Sequence, residues 1–204
     1  RRVVTGEATY MAAGWSPDGD KLLALEFLSN TNTNILLVDL VDGSTRPLTA
    51  HEGEATYVPV GWAGDAAGFY LVTNEGREFD GLAFHDLASD TREWVEAPDW
   101  DVEHAAVSRD GTRLIWSVNE NGYSRVRIRG LDGDSAPVEA TLPAGVLIEM
   151  TLSRDGSRLA VLWARPTHPE EVFTIDTATG EATQITFGAL GGIADADLTE
   201  PELI

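Results

Sequence analysis

Cysteine is absent from the 204-residue chain, and lysine occurs once, at Lys21. Without cysteine the chain forms no disulfide, has no thiolate nucleophile and offers no cysteine ligand to a metal ion. Long apolar runs are missing as well. Runs such as residues 35–38 and 145–148 are far shorter than the roughly 18 residues that a membrane-spanning helix needs. The sequence therefore excludes a thiol enzyme and gives no indication of a membrane span.

Positive charge is also scarce. The chain has 14 basic residues against 34 acidic ones, and its net charge is −20. Nucleic acids and anionic lipids both require a basic surface, so we expect neither as a partner. The acidic residues are scattered along the chain, which is typical of a solvated anionic surface.

One short motif recurs along the chain. Residues 14–22 read Gly-Trp-Ser-Pro-Asp-Gly-Asp-Lys-Leu, and weaker copies stand at residues 61–65, 107–114 and 152–159. The aligned aspartates of the four copies are 47, 45 and 45 residues apart. Pro, Asp and Gly at these positions predict a tight turn. A turn at such a spacing indicates a repeat architecture.

Each repeat contains four short segments with alternating apolar residues and no helical period, which predicts four antiparallel strands. Four-stranded repeats of about 45 residues are typical of β-propeller blades, so the predicted fold class is an all-β propeller. A β-sandwich is the structural alternative, but it does not explain the equal spacing. The predicted segments are an outer strand of a preceding blade (1–8), four blades (9–54, 55–102, 103–146, 147–190) within a propeller portion (1–197), and a hinge (198–204).

The loops give two further expectations. The first turn of the second repeat, residues 63–68, lacks the Asp-Gly pair, so we expect a longer and looser connection there. Strand parity places the second-to-third loops on one rim, and residues 29–34, 74–81, 119–123 and 164–170 predict long, varied loops there. The charged residues best placed on that rim to meet a ligand are Glu75, Arg77, Glu78, Arg165 and Glu170.

No catalytic or metal site emerges from the sequence. A G-x-S-x-G nucleophile motif is missing, and residues 14–19 are predicted to form a structural hairpin. The histidines do not have the spacing of a zinc site; they are His51, His85, His104 and His168. We therefore predict no catalytic residue, metal ligand or cofactor, and leave the binding residues unassigned. The tryptophans are expected to pack, mainly between blades; they are Trp15, Trp62, Trp94, Trp100, Trp116 and Trp163.

The end of the chain resembles a known family. Residues 153–160 (Ser-Arg-Asp-Gly-Ser-Arg-Leu-Ala), 165–173 (Arg-Pro-Thr-His-Pro-Glu-Glu-Val-Phe) and 176–186 are similar to the last propeller blade of prolyl oligopeptidase family serine peptidases. The acylaminoacyl peptidase and dipeptidyl aminopeptidase branch is the most similar. Residues 198–204 (Leu-Thr-Glu-Pro-Glu-Leu-Ile) resemble the hinge that leads from the propeller to the catalytic domain.

The resemblance implies a non-catalytic propeller, part of a seven- or eight-bladed ring, that controls access of short peptides or acyl-peptides to a following α/β-hydrolase domain. The implied partners are that domain and peptide substrates. The end blades expose surfaces that other blades or a second copy should cover, so a homo-oligomer is one of the expected arrangements. Lack of cysteine fits a reducing compartment, and we expect a cytoplasmic protein. The alternatives are a TolB-like interaction module and a carbohydrate-active propeller.

Overall fold

The computed structural model describes residues 8–133, 135–193 and 197–201. Nearly all of the predicted outer strand at 1–8 and the last three residues of the predicted hinge lie outside these ranges. The strands are β1 (Thr9–Trp15), β2 (Lys21–Ser29), β3 (Asn32–Asp39), β4 (Thr45–Pro47), β5 (Tyr57–Trp62), β6 (Gly68–Thr73), β7 (Gly81–Asp86), β8 (Thr91–Glu96), β9 (Val102–Val107), β10 (Arg113–Glu120), β11 (Tyr123–Gly130), β12 (Val138–Glu139), β13 (Val146–Leu152), β14 (Arg158–Arg165), β15 (His168–Asp176) and β16 (Ala182–Gln184).

The strands form four antiparallel sheets, each with the order first, second, third, fourth. We call these sheets blades one to four, and the predicted fold class is confirmed. The chain divides into two compact units, Arg1–Val107 and Ser108–Ile204. Within the described residues, no helix is long and apolar enough to cross a membrane.

The first turn of blade two differs from its prediction. The Ala63 N–H donates to the Gly68 carbonyl at 2.9 Å, as the Ser16 N–H donates to the Lys21 carbonyl in blade one at the same distance. Ala66 takes a φ of 58°, where the equivalent Gly19 has 79°. The prediction of a longer, looser connection was wrong, because an alanine held in the left-handed region closes the same five-residue turn.

The second-to-third loops also differ from their prediction. Three of them are two-residue hairpins, at residues 30–31, 121–122 and 166–167. At Asn121 and Gly122 both φ angles are positive, 55° and 80°, as a type I′ turn requires. Only the loop at residues 74–80 of blade two is long. The predicted rim of varied loops is therefore reduced to this one segment.

The apolar faces of neighbouring blades form the cores of the two units. In the first unit, buried residues of blades one and two pack together: Leu23, Ile35, Leu48, Ala55, Tyr57, Trp62, Phe69, Leu71 and Ala83. In the second unit, blades three and four contribute Ile115, Val126, Ile128, Leu147, Leu159, Val161, Trp163, Phe173 and Ile175. This burial of complementary faces stabilises each unit mainly through the hydrophobic effect.

Three of the six tryptophans are buried as predicted, whereas Trp15, Trp94 and Trp100 are exposed, at 64%, 46% and 38%. Trp62 is 6% exposed, Trp116 is fully buried and Trp163 is 1% exposed. The packing prediction was wrong for the exposed ones, most clearly for Trp15. The Trp62 indole donates to the Gly14 carbonyl of blade one at 3.1 Å. Blade one has no blade before it in the described part of the chain, which leaves Trp15 without such a partner.

Candidate functional site

The long loop of blade two, residues 74–80, is held firmly in place. The Arg77 guanidinium donates to the carbonyl oxygens of Phe79 and Pro98. It also lies over the Trp94 ring, 5.2 Å from the ring centroid. These contacts anchor the loop to β8 and to the connection that follows β8, so its side chains have fixed positions.

Glu75 lies at the start of this loop and is already paired. The Arg92 guanidinium donates to Glu75 Oε2 at 2.5 Å and to the Leu48 carbonyl of blade one at 3.4 Å. The same guanidinium lies over the Tyr57 ring, with its carbon 5.5 Å from the ring centroid. Burial raises the pKa of Tyr57, and the Glu75 carboxylate raises it further. This cluster joins blades one and two and gives the Glu75 carboxylate a structural partner.

A second feature next to the loop is an acidic groove of about 550 Å³ between β5 and β9. Its ionisable lining residues are Asp80, Asp101, Glu103 and His104, and its apolar lining residues are Val58, Pro59, Val60, Val72, Val102 and Ala105. Its volume is in the range of ligand pockets, and four ionisable side chains converge on it. The groove is therefore the candidate site of the first unit.

Asp80 and Asp101 are close neighbours in this groove. The Asp80 N–H donates to Asp101 Oδ1 at 2.9 Å, and the Thr56 hydroxyl donates to Asp80 Oδ1 at 3.4 Å. Burial raises the pKa of Asp80, the Asp101 charge raises it further, and the Thr56 hydroxyl opposes both. A carboxylate whose charged form is disfavoured by a like charge gains from a cation beside it. The groove can thus hold an ammonium or guanidinium group.

The second unit has a different cluster at the third strand of blade four. Arg165 pairs with Glu171, whose side chain is 2% exposed, and the Gly188 N–H donates to Glu171 Oε1 at 3.1 Å. Burial opposes the charge of Glu171, but the Gly188 N–H and Arg165 outweigh it and lower the pKa of the carboxyl. This cluster fixes the segment after β16 to blade four.

The five charged residues that were predicted to meet a ligand lie in different environments. Glu75, Arg77 and Arg165 are engaged in structural contacts, while Glu78 and Glu170 are exposed. The sequence reasoning missed the groove carboxylates, Asp80, Asp101 and Glu103. The available signal was their position, since Asp80 directly precedes β7 and Asp101 directly precedes β9. Strand parity places both of these strand starts on the same rim.

The described residues form no candidate metal site, and three of the four histidines lie outside the groove. In residues 8–133, 135–193 and 197–201, no group of three His, Asp or Glu side chains could hold a metal ion. His51 Nδ1 lies 2.9 Å from the Thr49 carbonyl, and His168 Nδ1 lies 3.0 Å from the Thr167 hydroxyl. His85 is fully buried against Phe69, and only His104 lines the groove.

No protein-family model matches the sequence, and no curated protein does. Several solved structures match the fold. Puromycin hydrolase aligns with a TM-score of 0.81 at 19% identity, over 99% of this chain and 32% of that one. Prolyl oligopeptidase B from Galerina marginata aligns with a TM-score of 0.77 at 14% identity, over 96% and 29%. TolB from Acinetobacter baumannii aligns with a TM-score of 0.66 at 19% identity, over 92% and 46%.

These likenesses show that the chain has a β-propeller fold. The chain spans less than half the length of each of these three proteins. At identities of 14–19%, these alignments establish the fold of the chain but not its activity.

Proposed function

We propose that this chain is the non-catalytic propeller portion of a prolyl oligopeptidase family serine peptidase. The observation that carries the proposal is the alignment of 99% of the chain with only 32% of puromycin hydrolase. A propeller of this extent leaves room in such a protein for a separate catalytic domain. The last-blade and hinge motifs at residues 153–186 and 198–204 point to the same family.

In this proposal the propeller screens substrates for an α/β-hydrolase domain that follows it. Short peptides or acyl-peptides enter, and folded proteins are kept out by size. Within the acylaminoacyl peptidase and dipeptidyl aminopeptidase branch, the groove of Asp80, Asp101 and Glu103 favours the dipeptidyl aminopeptidase side, because its carboxylates suit a free amino end and an acylated end carries no charge. Hydrolysis would proceed through a serine acyl-enzyme in the hydrolase domain. We place the protein in the cytoplasm, which cell fractionation would test.

The test compares the 204-residue chain with the whole natural protein that contains it. We expect the chain alone to show no hydrolysis of aminoacyl or acyl-peptide nitroanilides and no labelling by a fluorophosphonate serine probe. The whole protein should hydrolyse short peptides, be labelled by the probe, and leave a folded protein substrate intact. Serine-dependent turnover by the chain alone would overturn the proposal, as would cleavage of folded substrates by the whole protein.

A TolB-like interaction module is the second candidate. The TolB alignment, which covers 92% of this chain, favours it. The reading frame after Ile204 separates the two candidates. About 250 further residues with a G-x-S-x-G motif and a later histidine are expected for the peptidase. A stop codon close to Ile204 would favour the interaction module.

A further inference from the structure

A cavity of about 430 Å³ lies in the second unit, at one end of blades three and four. Its wall consists of residues 121–123, 145–146 and 164–166 and of Pro201. The first and third of these segments belong to the hairpins that join β10 to β11 and β14 to β15, and the second leads into β13. The volume is in the range of pockets that bind small organic ligands.

The backbone around this cavity is fixed without a ligand. The Ser124 N–H donates to the Gly145 carbonyl at 2.9 Å, and the Leu147 N–H donates to the Ser124 hydroxyl at 3.0 Å. The Trp163 indole donates to the Pro143 carbonyl at 3.0 Å and lies so close to Gly145 that a Cβ there would overlap it. A ligand would therefore meet a wall that is already in place, which lowers the entropic cost of binding.

The wall of the cavity is mainly apolar and carries no negative charge. Its apolar and aromatic residues include Tyr123, Val146, Pro166 and Pro201. None of the described residues that line it is acidic, although the chain has 34 acidic residues, and the one charged residue among them is Arg165. The groove of the first unit, by contrast, is lined by three carboxylates. Charge therefore favours an anionic ligand in the cavity and a cationic one in the groove.

Arg165 has hydrogen-bonding capacity that the described part of the chain does not use. Its Nη2 donates to Glu171, which is not among the residues that line the cavity. Its Nε is buried and has no acceptor within the described ranges. A buried donor without an acceptor is costly, and hydrogen bonds between guanidinium and carboxylate groups are among the strongest in proteins. The arginine therefore favours a ligand that carries a carboxylate.

We propose that this cavity is a binding site for a small apolar carboxylate. The apolar part of the ligand lies against Tyr123, Pro166 and Pro201, and its carboxylate accepts hydrogen bonds from Arg165. The cavity shares no lining residue with the groove of the first unit. The proposal therefore goes beyond the proposed peptidase function and does not depend on it.

Isothermal titration calorimetry of the 204-residue chain at neutral pH tests the proposal with three probes: 4-phenylbutyrate, its neutral isostere 4-phenylbutanamide, and butyrate, which lacks the ring. We expect one molecule of 4-phenylbutyrate to bind per chain. The amide should bind about 10-fold more weakly, because it lacks the charge that strengthens the hydrogen bonds to Arg165. Butyrate should also bind at least about 10-fold more weakly, because it buries much less apolar surface.

Three variants locate the site. Tyr123→Ala should weaken the binding of 4-phenylbutyrate about 10-fold, because it removes an aromatic part of the wall. Arg165→Gln should abolish the preference for the carboxylate over the amide. Arg154→Gln is the matched control and should leave the Kd unchanged, since it removes the same charge from an exposed turn of blade four that does not line the cavity.

Three results would overturn the proposal. They are equal affinities for 4-phenylbutyrate and its amide, an unchanged Kd in Tyr123→Ala, and no binding of 4-phenylbutyrate at millimolar concentration. Arg165→Gln leaves the buried Glu171 without its arginine, so circular dichroism must first show that this variant is folded. If it is not, the comparison of the probes in the native chain and the Tyr123→Ala variant decide the outcome.

Discussion

At the scale of single residues, Asp80 is the most informative carboxylate of the groove. We expect Asp80→Asn in the whole natural protein to raise KM about 10-fold for peptides with a free amino terminus, with kcat little changed. The reason is that, in the proposed function, the substitution removes one of the groove carboxylates that would pair with the ammonium group. Steady-state kinetics with free and N-acetylated forms of the same peptide would measure it.

Two controls accompany this prediction. Glu78→Gln removes an exposed carboxylate from the same loop and should leave KM unchanged. The N-acetylated peptide should be insensitive to Asp80→Asn. Because the pKa of Asp80 is raised by burial and by Asp101, its charge is lost earlier on acidification than that of an ordinary aspartate. KM for free-amine peptides should therefore rise as pH falls, and an equal rise for both peptides would contradict the role.

His85 gives a prediction of pH dependence. Its side chain is fully buried, and its Nε2 lies 3.2 Å from Asp90 Oδ1. Burial lowers the pKa of His85, Arg92 and Arg46 lower it further, and Asp90 opposes them. The folded state thus favours neutral histidine, while the unfolded chain binds a proton below about pH 6.5. Stability should therefore fall as pH falls from about 6.5 towards the lowered pKa.

The variant His85→Phe should remove this part of the pH profile. We expect the drop in Tm between pH 7.5 and 5.5 to be smaller in the variant, whatever its Tm at neutral pH. This interval lies above the range in which the turn aspartates titrate, since hydrogen bonds from Ser153 and Ser157 lower the pKa of Asp155 to about 2. Parallel Tm profiles of the variant and the wild type would contradict the assignment.

At the scale of structural elements, the segment after β16 depends on Glu171. Removing a buried partner leaves Arg165 unpaired, which costs about 3 kcal/mol. We expect Glu171→Ala to lower the stability by about this amount. Amide exchange at Gly188 should also become faster, because its N–H donates to Glu171 Oε1. Glu170→Ala, at the exposed neighbouring position, is the matched control and should change neither quantity.

The elements also show how far sequence reasoning reached. The four blades, their strand order and most strand positions followed from the repeat, because alternating apolar residues and Asp-Gly turns are local signals. The turn at residues 63–68 was misread because its left-handed residue is Ala66, and alanine carries no signal for that conformation. The groove was missed because Asp80, directly before β7, and Asp101, directly before β9, meet only through the packing of β9 against blade two.

At the scale of the whole molecule, the net charge is the main non-specific influence on stability. The 34 acidic residues have only 14 basic residues to pair with, which leaves a net charge of −20. Exposed ion pairs such as Arg46–Asp90, with atoms 3.4 Å apart, contribute about 0–1 kcal/mol each. Salt weakens both these pairs and the general repulsion among carboxylates. With 34 acidic residues against 14 basic ones, relief of the repulsion should win.

We therefore expect Tm to rise when NaCl is increased from about 0.05 M to about 0.5 M, as the Debye length falls from above 10 Å to below 8 Å. Calorimetry at fixed pH would measure it. Glu52 and Glu54 are exposed in the connection between blades one and two. Replacing both with glutamine should raise Tm at low salt and shrink the salt-induced gain, because part of the repulsion is already removed. A Tm that falls with salt would mean that the specific ion pairs outweigh the net charge.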